Sequence, residues 1–498
     1  MSRDVPRLTS SEVYGYFQPS RCELRIYLRA RGETEAPAGP YAEILRRLGE
    51  RHEARHLESF PEVVNLEAVA PDRRVAETER AVAGHAAAIY HPRFRNRVVL
   101  AGREWEVGGE PDLLVRAPEG YAIRDVKLSR RLGEREHPEI HRQLELYGWQ
   151  FEQTFGKPPA RLEVFTGAGT VESLPFDGGA AALDLLRRIV EIRGASAAPY
   201  SPVGWTKCGG CGFFAHCWPH AVKNRDVALL PGVDQGLALA LHERGLASYP
   251  ALLRGMDEPA LAALRRPWGT GQTKQVGKPA GDILLHARAF ERQAEIVLAK
   301  PALPAGENFV MFDLEGLPPQ LDELQKIYLW GLQVYGRRPG VYQPALAGFG
   351  AEGDAQGWRE FLGRAKEIFR EHADIPFIHW HHYETTNVRL YRERYGDPEG
   401  IAGRILDHCV DLLPLTRRAV ILPLSSYSLK VVEKYIGFER TLEEYGGDWA
   451  MAKYIEAVET EDEADRQARL EEIMLYNKED LAAMWGVWEW LSRLAPAG

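Results

Sequence analysis

Cysteine is scarce in this sequence, five in 498 residues, and no stretch has the long uncharged apolar run of a membrane helix. The N-terminal MSRDVPRLTSSEVYGYF lacks the apolar core of a secretory signal, and neither a tandem repeat nor a low-complexity tail is visible. Positive charge is not in excess either: 62 Lys and Arg stand against 71 Asp and Glu, a net charge of -9. These absences argue against a disulfide scaffold, a membrane-spanning protein and a generally basic nucleic-acid coat. The expectation is a soluble cytoplasmic protein with no membrane partner. A nucleic-acid substrate stays open, because local basic paths and bound metal ions supply positive charge where it is needed.

What is present is ordinary globular composition, with 45% hydrophobic and 27% charged residues, in a chain long enough for roughly two to four domains. Three regions are expected. Residues 1–221 mix helical patterns (around 41–60, 74–91 and 137–155) with strands, residues 222–300 look helical throughout, and residues 301–498 alternate strands with helices. ALPAGENF at 302–309 punctuates the chain before the last region. One tempting phosphate loop, GQTKQVGKP at 271–279, fails because its glycines are wrongly spaced and Pro279 replaces the Ser or Thr.

Residues 108–130, GGEPDLLVRAPEGYAIRDVKLSR, read as a hairpin around Pro118-Glu119-Gly120. Asp125 and Lys127 share a strand face, and pairing across the hairpin brings Asp112 to them. Hard carboxylate oxygens suit Mg²⁺ or Mn²⁺, and an adjacent ammonium can orient water or offset phosphate charge. Gln143 and Tyr147 lie at i and i+4 on one helical face, and His52 sits on an upstream helix. This ordered set resembles the PD-(D/E)xK nucleases of the RecB type. The resemblance implies a restriction-endonuclease-like α/β core in which His52, Asp112 and Asp125 hold metal, Lys127 is catalytic, and Gln143 and Tyr147 support it.

Three cysteines crowd into ten residues, Cys208, Cys211 and Cys217, while Cys22 lies far upstream. Four thiolates suit an iron-sulfur cluster or a structural zinc, and spacing alone decides poorly between them. The layout is similar to that of iron-sulfur members of the RecB-like group, with one cysteine before the nuclease core and three after it. That resemblance implies a [4Fe-4S] cluster held by Cys22, Cys208, Cys211 and Cys217, with zinc as the alternative. Cys409, within an apolar run, reads as a buried free thiol.

In the middle, LLPGVDQGLALALHERGLASYPALL at 229–253 resembles a helix-hairpin-helix element, whose turn amides can approach phosphates, although a plain helical spacer explains it as well. Beyond it, Asp313 and Glu315 are two apart on an apolar strand and point to one side. Tyr476 and Asp480 are i and i+4 on a helix. Between them IPFIHWHHYETTNVRLY runs from strand to helix.

The C-terminal region resembles the DEDD-type 3'-5' exonucleases of ribonuclease H-like α/β fold. Asp313/Glu315 match the first motif and Tyr476/Asp480 the last. The middle motif departs, with His379 and Tyr383-Glu384 where the family has Asn and Phe-Asp. The resemblance implies that Asp313, Glu315, Glu384 and Asp480 hold two metals and that Tyr476 helps place the attacking water. Asp411 in CVDLLPL is a candidate substitute ligand. The histidines at 372, 379, 381 and 382 do not converge on one face, so surface or supporting roles are expected. The whole reads as an α/β multidomain nuclease of nucleic acid, DNA in preference to RNA. The rival readings are an adaptor that binds nucleic acid with degenerate sites, and a zinc-stapled RNA-processing nuclease.

Overall fold

The computed structural model describes residues 5–269, 271–318 and 325–495, and the chain divides into two compact units. The first holds residues up to 38 and from 42 to 218; the second begins at Pro219 and also takes in residues 39–41. The stretch that follows Pro219 thus groups with the C-terminal region.

The N-terminal unit begins with β1 (Arg7–Thr9), α1 (Ser10–Phe17), α2 (Glu23–Ala30) and α3 (Pro40–Leu57). Next come β2 (Val64–Asn65), α4 (Pro71–Ala83), β3 (Ala88–Tyr90), β4 (Phe94–Leu100) and β5 (Arg103–Gly109). The hairpin β6 (Leu113–Ala117) and β7 (Gly120–Val126) leads through α5 (Pro138–Phe155) to β8 (Arg161–Phe165) and β9 (Val171–Leu174). α6 (Ala180–Gly194) and the short α7 (Trp205–Cys208) precede α8 (Phe214–Lys223), within which the division falls.

Six strands pair in the order β2-β3-β6-β7-β8-β9, and a smaller sheet is ordered β1-β5-β4. β6 and β7 are antiparallel, whereas β7 and β8 are parallel, with α5 as the crossover. α5 is apolar on two faces. Leu144, Tyr147 and Phe151 pack under Ile89, Leu114, Ile123 and Val164 of the larger sheet. Leu146 and Trp149 pack with Val107, Leu186 and Ile189 on the other side. The helix is thereby clamped, and its Gln143/Tyr147 edge is held at the start of the β6–β7 hairpin. The expected helix over 74–91 stops at Ala83; Gly84 and His85 (φ +57°) turn the chain, and Ala88–Tyr90 pair between β2 and β6. Pairing at the sheet edge overrides the alanine-rich helical pattern.

The second unit opens with α9 (Gln235–His242), α10 (Tyr249–Gly255) and α11 (Glu258–Ala263). The hairpin β10 (Arg265–Trp268) and β11 (Gln272–Gln275), α12 (Ala280–Arg292) and β12 (Ile296–Val297) follow. This region is therefore not helical throughout: Pro267 and Gly269 disfavour helix, and the chain doubles back as strands. The turns expected at Pro231-Gly232 and Arg244-Gly245 are present, with both glycines at positive φ.

Next are β13 (Asn308–Leu317), β14 (Lys326–Gly336), β15 (Gln343–Leu346), α13 (Gly350–His372) and β16 (Phe377–His379). α14 (Tyr383–Tyr395), α15 (Ile401–His408), β17 (Cys409–Asp411), α16 (Leu412–Ala419) and β18 (Val420–Ile421) continue the chain. α17 (Leu429–Tyr435), α18 (Gly447–Glu459) and the long α19 (Glu463–Arg493) complete it. The central sheet runs β15-β14-β13-β16-β17, antiparallel on the β14 side of β13 and parallel on the β16 side. Val310, Phe312 and Leu314 face Phe361 and Ile368 of α13, while Phe309 and Met311 face Leu481, Met484 and Trp488 of α19. By this alternation Asp313 and Glu315 fall on the α19 side of the sheet.

Candidate active sites

In the N-terminal unit, Asp112 and Asp125 are locked together by backbone donors. The Asp112 N–H donates to Asp125 Oδ1 at 3.2 Å, and the Val126 N–H donates to Asp112 Oδ2 at 2.7 Å. Lys127 Nζ lies 3.0 Å from Asp125 Oδ2. Burial pushes the Asp112 carboxyl well above the usual carboxylate range, and the Asp125 charge adds to it. Burial alone would lower the Lys127 ammonium, but the Asp125 and Asp112 charges outweigh it and hold the lysine protonated beyond its ordinary range. Tyr147 Oη accepts from Gln143 Nε2 and from Ser10 Oγ, each at 3.1 Å, and donates to the Glu110 carbonyl at 3.1 Å. Its phenol is raised by burial and then by Asp125, so it stays protonated. A Cβ on Gly109 would fall 1.9 Å from Gln150 Oε1 and 3.0 Å from the Tyr147 ring, so glycine lets α5 come this close to the site.

His52 is placed differently from the other members of the set. Its Nε2 lies 3.1 Å from the Thr166 carbonyl and its ring stacks on Phe165 at 4.9 Å. Burial lowers its pKa. The neighbouring Glu53, which sequence reasoning passed over, instead contributes to raising Asp112 and Tyr90. One signal was available, since Glu53 follows His52 on the same helix. Tyr14 of α1 also senses Lys127 and Asp125, after burial, and had no sequence signature.

The four cysteines of the expected cluster are half-buried and line one pocket together with Ser20, Ser201, Lys207 and Phe213. Burial and then the charges of Cys22, Cys211 and Cys208 push Cys217 up to about 11. The layout thus brings Cys22, just before α2, to the same pocket as the cysteines of α7, α8 and the turn between them. Four thiols at one pocket are a donor set with the chemistry that a cationic centre takes as ligands.

In the C-terminal unit, Asp313, Glu315 and Asp480 bring candidate ligand atoms within 4.8 Å of one another, the group of that kind found among the described residues. Burial raises Asp313 well above the carboxylate range, helped by Asp480 and Glu315. Glu315 is pushed up to about 8 by burial and then by Asp480. Three acids at one point, Asp313 half-buried and the other two buried, are a group that could hold a cation. Glu384, in the first turn of α14, contributes to both shifts, yet its Oε2 turns 3.4 Å from His379 Nδ1. It is not part of the close group. His379, buried and not on the surface, is pushed up to about 10; burial opposes this, but contacts with Cys409 and Glu384 outweigh it. Cys409 is half-buried. Asp411 Oδ1 accepts from the N–H groups of His381 (2.9 Å) and Leu413 (3.1 Å), which occupies it as the cap of α16.

Several residues that the motifs did not name complete this site. Asn477 Nδ2 donates to Asp313 Oδ2 at 2.7 Å, and Tyr342 Oη donates to Asn477 Oδ1 at 2.9 Å. Arg440 binds Asp480 and spans to Glu433, with Nη2 2.7 Å from Glu433 Oε2. Lys430 Nζ donates to Tyr476 Oη and lies 4.3 Å from the Tyr476 ring centroid. Asn477 was legible as the neighbour of Tyr476 and three residues before Asp480 on one helix. Arg440 and Lys430 were not, because they reach the acids only through the fold.

Residues 21–218 match the family model of the PD-(D/E)XK nuclease superfamily, and residues 310–492 match that of the RNase_H superfamily. The chain is a fusion of these two nuclease-superfamily domains, and nucleic acid is the substrate class they imply. Among solved structures, one described as "Crystal structure of SSO0001" aligns at 14% identity over 39% of this chain and 80% of that chain, with a TM-score of 0.21. No curated protein matches the chain. Among the described residues no helix is long and apolar enough to cross a membrane.

Proposed function

We propose that this protein is a Mg²⁺- or Mn²⁺-dependent nuclease that hydrolyses DNA phosphodiester bonds, single-stranded or at ends, in the cytoplasm, in repair, recombination or defence. The observation that carries the reading is the convergence of Asp313, Glu315 and Asp480 in a region matching the RNase_H superfamily. Those three residues, with Glu384 alongside, would hold metal in the C-terminal site, and Asp112 and Asp125 would do so in the N-terminal one. Bound metal supplies an activated water and neutralises charge on the phosphate.

The protein's own groups have distinct tasks. Asn477 orients the Asp313 carboxylate through the 2.7 Å hydrogen bond, and Arg440 holds Asp480 in place. Tyr476, raised well above its ordinary value by burial and then Glu315, keeps its phenolic proton while accepting from Lys430. It is thus a donor for an incoming oxygen. Lys127 remains a cation, which suits charge stabilisation at the phosphate and not proton abstraction. Gln143 and Tyr147 hold the hairpin from the α5 side.

For the cysteines the favoured group is a [4Fe-4S] cluster, with zinc the alternative. One tetrahedral zinc at about 2.3 Å from each sulfur would draw the thiols to about 3.8 Å from one another. Four thiols lining one pocket support a bound centre of either kind.

The test uses protein purified without oxygen, Mn²⁺, and end-labelled DNA and RNA single strands and duplexes. Cleavage of DNA strands, lost in an Asp112→Asn, Asp313→Asn double variant, is expected. Wild-type protein that binds strands but cuts neither DNA nor RNA would overturn the enzyme in favour of an adaptor. Iron and sulfide analysis with a visible spectrum checks the cluster, and zinc in their place would overturn it.

A further inference from the structure

The basic stretch that fails as a phosphate loop folds into half of the β10–β11 hairpin, paired Arg265↔Gln275, Arg266↔Lys274, Pro267↔Thr273 and Trp268↔Gln272. Alternation puts Arg266, Trp268, Gln272 and Lys274 on one face. Trp268 is 45% exposed, and Lys274 Nζ and Arg266 Cζ lie 4.4 and 4.8 Å from its ring centroid. On the other face the exposed Arg265 donates to Thr273 Oγ1 at 2.8 Å, which holds the guanidinium along the strand.

The hairpin is rooted and not loose. Arg266 Nη2 lies 2.7 Å from Asp234 Oδ2, the cap of α9. A Cβ on Gly236 would fall 2.2 Å from the Pro267 carbonyl oxygen, so only glycine allows β10 to sit this close to α9. From Arg265 to Gly281 the sequence has four cations and no carboxylate, although the chain carries a net charge of -9. A run of cations without a carboxylate of its own, around an anchored, solvent-facing indole, goes beyond what a solvated surface turn requires.

An indole offers a π-face to an unpaired base, and cations beside it meet the adjoining phosphates. A continuous duplex keeps its bases covered and would leave the indole in water. We propose that the β10–β11 hairpin is a holding platform for single-stranded DNA, with Trp268 stacking a base and Lys274 contacting an adjoining phosphate. The proposal rests on the nucleic-acid reading above and adds a place where the strand is gripped by residues outside the acid clusters.

The experiment measures fluorescence anisotropy of a fluorescein-labelled oligo-dT of about 20 nucleotides with full-length protein in EDTA, so that binding is read without cleavage. Trp268→Ala is expected to weaken binding about tenfold or more, and Trp268→Phe to restore most of it. Lys274→Gln should reduce the slope of log affinity against log salt by about 0.7. Circular dichroism checks that each variant is folded. Trp268→Ala binding oligo-dT as tightly as wild type overturns the platform while the nuclease reading stands. Wild-type protein that binds no nucleic acid overturns both. Loss by Trp268→Ala on oligo-rU or on a blunt duplex, without loss on oligo-dT, overturns the assignment to single-stranded DNA.

Discussion

Gly331 lies opposite Asp313 across the β13–β14 ladder, and a Cβ there would fall 1.7 Å from Asn477 Oδ1. Gly331→Ala must push Asn477 away and break its hold on Asp313. We expect loss of the C-terminal activity and a destabilisation of about 1–3 kcal/mol, read by cleavage assay and denaturant titration. Glu315 gives a pH signature. Its folded-state pKa of about 8 lies above the ordinary carboxylate value, so the stability it contributes is full at acid pH and is lost as the pH rises toward 8. Metal-free wild type should therefore lose Tm relative to Glu315→Gln as pH is raised from 5 to 8. Added Mn²⁺ should stabilise wild type most at the high end of that range, because the metal takes the place of the proton. Equal Tm differences at every pH would show that Glu315 does not titrate as described.

At the scale of elements, function depends on which faces meet. β13 contributes its acids because odd-numbered positions face α19, and α19 answers with Tyr476, Asn477 and Asp480 along one stripe. Arg440, in the segment after α17, joins that segment to α19 through Glu433 and Asp480. Arg440→Met leaves two buried carboxylates without their cation, and destabilisation of about 3–5 kcal/mol is expected in metal-free protein by thermal or chemical unfolding. In the N-terminal unit a centre shared by the four cysteines would tie the start of α2 to α7 and α8. Hydrogen exchange of Cys217→Ser should show faster opening of α2 as well as α8, whereas opening confined to α8 would argue that no shared centre links them.

At the scale of the whole molecule, the two matched domains carry separate acid clusters in separate compact units. Asp112→Asn and Asp313→Asn should each remove one class of products on a labelled strand, and the double variant should remove all cutting. If either single variant abolished every product, the two sites would not be independent.

Much of this was legible in the chain. The period-2 pattern around Asp112, Asp125, Asp313 and Glu315 and the i,i+4 pairs Gln143/Tyr147 and Tyr476/Asp480 grouped the residues of both acid clusters, because strand and helix periodicity decide locally which residues share a face. The β6–β7 hairpin and the two long strands β13 and β14 followed from the same alternation. Only the tertiary structure decided the rest. The helix read over 74–91 ends early because sheet pairing claims its last residues, and Pro267 and the glycines of the connector make a hairpin where helix was expected. His52 turns to Thr166 while the Glu53 charge acts on Asp112, and Glu384 turns to His379. Arg440 and Lys430 reach the acids from a distant segment. Such placements depend on packing between elements remote in sequence, and no local period encodes them.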